Sequence, residues 1–283
     1  MNAHCTAGII AFAMCAAGCA QSSRPIEVVV LPPPDAPVST GRGLDDYQGA
    51  LAAIMNTFEQ ALDLPRADVR LVLFPDRRGF EQGLLAAGYP PALASSASSF
   101  AAIGGARTVL MNAGLVDRFD RTSRVQLVAH ELVHSLQYQF SGGTRGASEQ
   151  WLREGFAEWV SYRATAHLGL ASFDSLREDL LRPVGGVRFG DPPAPLDDLV
   201  TFPQWVGAQR RYETPLYAQA FVAAELLIEM RGVPAIIAYF ERFRVTSDYE
   251  RAFAEAFGLE RAAFHRPFIR RWHETVAQFR ARR

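Results

Sequence analysis

Residues 121–140 carry Val125, Leu127, Val128, Leu132, Val133 and Leu136 at the spacing of an apolar helix. Inside that run stands His130-Glu131-Leu132-Val133-His134. Positions i and i+4 of a helix share one face about a turn apart. Two imidazoles placed there can bind a single Zn²⁺, and the intervening carboxylate can reach a metal-bound water. A buried helix has no evident structural use for two histidines and a glutamate, since each needs a partner once it leaves water.

The rest of the chain can build a core around such a helix. It has 283 residues, of which 49% are hydrophobic and 21% charged, values of a globular chain rather than a disordered or fibrous one. The 29 basic residues, all arginine, stand against 30 acidic ones. That balance argues against a nucleic-acid partner, which favours a basic excess.

A second cluster follows. Trp151-Leu152-Arg153-Glu154-Gly155-Phe156-Ala157-Glu158-Trp159 opens a helix expected over residues 149–168. Zinc held by two histidines needs a third protein ligand and an open position for water. Glu154 lies 20 residues after His134, and a turn at Ser141-Gly142-Gly143 followed by a returning helix can bring it back to the metal. Glu158, one turn further along the same face, can accept the ring N–H of a ligand histidine and so orient it. Both acids sit among Trp151, Phe156 and Trp159 rather than among charges.

The paired motifs, HExxH followed by WLxEGxAEW, resemble the gluzincin metallopeptidases, the group containing thermolysin and the zinc aminopeptidases, and within it the small bacterial members described as peptidase MA-like. The match covers about residues 107–243. The resemblance implies that His130, His134 and Glu154 bind zinc, that Glu131 is the general base, and that Glu158 supports the ligands from behind. It also implies an edge strand before the HExxH helix to align substrate, a place occupied by residues 101–112. The aminopeptidase branch has a tyrosine at the start of a later helix that donates to the oxyanion. Tyr217, in Tyr212-Glu213-Thr214-Pro215-Leu216-Tyr217, is the better placed of two tyrosines for that role. That branch also carries a glutamate in a GxMEN segment of the edge strand. Residues 103–112 hold no acidic residue, which argues for endopeptidase rather than aminopeptidase action. His4, His167, His265 and His273 show no ligand spacing and read as structural or surface residues.

Along the chain, strands are expected at 26–31, 69–74, 98–103 and 107–111. Helices are expected at 44–62, 77–87, 121–140, 149–168, 216–230, 234–243, 249–257 and 261–280. Residues 183–215, rich in Pro and Gly, read as a long functional or mobile connection. A few strands followed by helices predict an α+β fold: a small N-terminal mixed sheet with an edge strand, an HExxH active-site helix and a mostly helical C-terminal half.

The N-terminus carries a separate message. Residues 7–17 form an uncharged apolar run of signal-peptide length, too short for a comfortable membrane span. It ends in Ala16-Ala17-Gly18-Cys19-Ala20, which resembles a bacterial lipoprotein signal with Cys19 as the lipidated first residue. The expected organisation is a signal peptide over 1–20, a strand and linker over 21–43, and a metallopeptidase domain over 44–283. The chain is therefore expected to be exported, whether periplasmic, membrane-anchored through Cys19 or secreted, and to act on a peptide or protein substrate. Two alternatives from other classes are an exported zinc-site protein acting as a non-catalytic binding or assembly factor, and a scaffold or adhesion role. An intact Glu131 argues against the first, because binding alone needs no base.

Overall fold

The computed structural model describes residues 27–30, 44–187 and 191–282. The expected signal peptide, Cys19 and the linker at 32–43 lie outside the described residues. Among the described residues, the strands are β1 (Glu27–Val30), β2 (Arg70–Phe74), β3 (Ala102–Gly104) and β4 (Thr108–Asn112). Helices α1 (Tyr47–Ala61), α2 (Arg77–Ala86), α3 (Pro91–Ala97) and α4 (Ala113–Val116) are interspersed with them, and α5 (Arg121–Phe140) and α6 (Gln150–His167) follow. Then come α7 (Phe173–Leu181), α8 (Phe202–Arg211), α9 (Leu216–Arg231), α10 (Val233–Arg242), α11 (Tyr249–Phe257) and α12 (Arg261–Arg280). The fold is α+β and mostly helical with a small mixed sheet, as the sequence predicts.

The chain divides into two compact units. The first holds residues through Ser135 together with Arg163–Ala171. Its sheet runs β1-β2-β4-β3, with β2 and β4 parallel and both outer pairs antiparallel. Alternation along the strands gives two faces. Val72, Phe74 and Leu110 point to one face, which α2 and α3 cover through Phe80, Leu84, Ala94 and Ala97. In α1, Leu51, Ile54, Met55 and Phe58 recur at helical spacing and are fully buried. The helix starts where the Asp46 carboxylate accepts the Gly49 N–H at 2.7 Å. β3 is one of the sheet's two edge strands and precedes β4, α4 and the HExxH helix in sequence.

The second unit holds Leu136–Tyr162 and residues from Ser172 onward. Here α5 ends in a Schellman arrangement. The Gly143 N–H donates to the Tyr138 carbonyl and the Gly142 N–H to that of Gln139, with both glycines at positive φ, 62° and 93°. That conformation suits glycine, so Ser141-Gly142-Gly143 turns the chain as expected. Helix α9 is buried almost all round, from Leu216 through Leu227 except for half-buried Tyr217. A helix buried on nearly every side belongs at the centre of a helical layer. Aromatic rings from α10, α11 and α12 pack together, with Tyr239 against Phe240, Phe243, Phe253 and Phe257.

Gly155 explains how α6 approaches α9. A Cβ at this position would stand 2.1 Å from the Ala220 carbonyl oxygen and 2.9 Å from the Ala224 side chain. Gly155→Ala should therefore force the helices apart at a cost of about 1–3 kcal/mol, lowering the melting temperature by roughly 5 °C. Thermal denaturation checks this, and an unchanged midpoint would contradict the close approach.

The stretch 183–215 departs from expectation. It is not a continuous irregular connection: it contains 3₁₀ turns at Arg182–Gly186 and Leu196–Leu199, and all of α8. Thr201 and Gln204 form a capping box, with Pro203 in the first turn. T-x-x-Q with an early proline is a helix-start signal that the Pro/Gly content of the stretch obscured. Helices α3, α4 and α7 also lie where no helix was expected, and α7 too has a cap, Ser172 accepting from the Ser175 N–H at 3.0 Å. Among the described residues, no helix is long and apolar enough to cross a membrane.

Candidate metal centre

Helix α5 presents His130 and His134 with ring centroids 4.7 Å apart. Both are nearly fully buried, as is Glu154 in the second turn of α6. One ligand atom from each of His130, His134 and Glu154 lies within 4.8 Å of the others, so this buried group can hold a metal ion. Metal–ligand bonds of about 2 Å would close that span with small side-chain rotations.

Glu131 is anchored from the sheet edge. Its Oε2 accepts the Gly104 N–H at 2.5 Å. Gly104 lies in β3, and a Cβ on it would come within 2.3 Å of the Glu131 carbonyl oxygen and 2.9 Å of the His134 Cβ. Only the absence of a side chain lets the edge strand lie directly on the helix at this point. The sequence marks Gly104-Gly105 as a break between strands; Gly104 is instead part of the strand, and Gly105 begins the turn, its N–H donating to the Thr108 carbonyl at 2.8 Å.

The α6 side of the site contains residues that sequence reasoning missed. Gln150 donates from Nε2 to Glu154 Oε1 at 2.5 Å. Its own Oε1 accepts from Arg153, at 3.1 Å from Nε and also from Nη2. Arg153 in turn donates from Nη1 to the carbonyls of Arg145 and Ser148, at 2.6 and 2.7 Å. Gln137, one turn beyond His134, donates to the Arg153 carbonyl at 2.9 Å. Burial, with the charge of Arg145 nearby, pulls the Arg153 guanidinium down to about 10, so it stays charged at neutral pH. The i, i+3 and i, i+4 spacings of Gln150, Arg153 and Glu154 are visible in the sequence, but they do not announce a buried chain of hydrogen bonds.

Just before α6, Glu149 is fully buried. Arg261 donates to it from Nε at 2.6 Å and Trp151 from Nε1 at 2.8 Å. Burial pushes the Glu149 carboxyl upward against these donors. The resulting buried ion pair ties α12 to the start of α6.

The remaining expected residues fall as follows. Glu158 is 2% exposed, so it does not belong to a solvated helix face. Tyr217 is the second residue of α9, half-buried, with Trp205 edge-on at 5.2 Å between ring centroids. Tyr212 gives its hydroxyl to Asp198, whose hydrogen bond raises the phenol above its usual value. Pro193, Leu196, Tyr212, His265 and Phe268 help line a cavity of about 700 Å³ in the second unit. No family model, no curated protein and no solved structure matches this chain.

Proposed function

We propose that this protein is a zinc-dependent peptidase that cleaves within peptide chains, with Glu131 as general base. The observation that supports this most is the convergence of His130, His134 and Glu154 within 4.8 Å in a buried setting. Two imidazoles and one carboxylate suit zinc, and three protein ligands leave one position open. When bound, the ion would acidify a water molecule and polarise the scissile carbonyl.

The chain's own groups supply the rest. Glu131 takes the proton of the attacking water and passes it to the leaving amine. The Gly104 N–H holds that carboxylate in one orientation. β3, at the edge of the sheet, offers backbone groups along which an extended substrate can align. Glu158 accepts a ring N–H of a ligand histidine. Tyr217, the second residue of α9, donates to the developing oxyanion. The chain is exported, with Cys19 as a lipidated first residue of the mature protein.

The test is a metal analysis followed by a mixed peptide library, with and without chelator. The expected result is about one zinc per chain. Cleavage at internal peptide bonds should disappear with chelator and return with added zinc. Zinc-loaded protein that cleaves nothing would leave the binding or assembly role, and removal of single N-terminal residues would mean an aminopeptidase.

A further inference from the structure

The geometry points to Gln150, backed by Arg153 and braced by Gln137, as the positioning residue that presents Glu154 to the metal. The proposal rests on the metal reading of His130, His134 and Glu154. A glutamate at the second turn of a helix has several rotamers, and a ligand must hold one of them to pay little entropy on binding. Gln150 restricts Glu154 at Oε1. A primary amide can donate to the carboxylate only through its nitrogen, so its two ends must be told apart, and here they are. The cationic Arg153 takes the amide oxygen, so the amide N–H₂ must face the carboxylate. Arg153 is itself fixed by two backbone carbonyls, those of Arg145 and Ser148, and is 3% exposed. Gln137 adds a brace from α5, bonded to the carbonyl of the residue just before Glu154. The order of the contacts, cation to amide oxygen and amide nitrogen to carboxylate, aligns the dipole of Gln150 with the charges on both sides.

A glutamine that merely filled space would not need this polarity. The arrangement therefore predicts an effect on the metal rather than on the fold alone. Partners of a ligand's outer atoms typically contribute about 10- to 100-fold in metal affinity.

The experiment uses the full chain, stripped of metal and titrated with Zn²⁺ against a chromophoric competitor, then with Co²⁺ to record its visible absorption. Two variants are compared with wild type. Gln150→Met keeps the volume and deletes all three side-chain hydrogen bonds. Gln150→Asn keeps a neutral amide and adds no charge but is one methylene too short to hold Arg153 and Glu154 together, so it reads the proposal even if Gln150→Met fails to fold. The expected result is zinc affinity lowered about 10- to 100-fold in each folded variant. The Co²⁺ spectrum should change as well, while the metal-free melting temperature of Gln150→Asn stays closer to that of wild type than that of Gln150→Met does. A folded variant with wild-type affinity and spectrum would overturn the proposal. So would a loss of affinity that tracks lost stability with an unchanged spectrum, which marks a purely structural role. Wild-type protein that takes up no zinc would instead overturn the metal reading beneath it.

Discussion

Glu131→Gln should retain its zinc and its melting temperature and lose about 10²–10⁴ in kcat/KM, the usual share of a general base. The structure shows why this substitution is clean. The Gly104 N–H donates to Glu131 Oε2 at 2.5 Å, and a glutamine can offer its amide oxygen to the same donor. The edge strand should then stay in place, and the group that disappears is the one able to take a proton. Metal analysis and steady-state kinetics on the same preparation check both halves. A variant that also loses its metal would make Glu131 a ligand, and an unimpaired variant would take the base out of the mechanism.

His134→Ala should bind zinc at least about a hundredfold more weakly than wild type. A zinc site worth about 10–16 kcal/mol at neutral pH, spread over three ligands, assigns roughly 3–5 kcal/mol to each. Losing one therefore means at least about a hundredfold in affinity. His130→Ala and Glu154→Ala should behave alike, since ligand atoms of all three lie within 4.8 Å of one another. Competition titration measures the effect directly. A wild-type zinc affinity in His134→Ala would refute the assignment of these ligands. The substitution also empties the space of a buried imidazole, while the Cβ that lies against Gly104 remains. The metal-free melting temperature must therefore be recorded beside the affinity, so that lost packing is not mistaken for a lost ligand.

The HExxH helix was legible because its information is local. Apolar spacing and the i, i+4 relation of His130 and His134 follow from helix geometry within two turns, whatever the rest of the chain does. Helix α5 accordingly occupies the residues the periodicity predicts. The turn at Gly142-Gly143 was legible for the same reason, since a left-handed backbone is cheap only for glycine. Helix α8 was present in local signals, the Thr201–Gln204 box and Pro203, but the composition around it masked them. What the tertiary structure alone decided are the encounters between distant surfaces. Nothing near Gly104 or Gly155 in sequence says that the Glu131 carbonyl or the Ala220 carbonyl will stand where a methyl group would be. Nothing near Gln150 says that its amide will be buried between Arg153 and Glu154 rather than solvated on a helix face. The order β1-β2-β4-β3, which leaves β3 at the edge, likewise depends on which strands pair over long separations. The sequence determines local periodicity because one turn of backbone enforces it. Glycine contacts, strand order and buried amides depend on which surfaces leave water together, and that is settled only when the whole core packs.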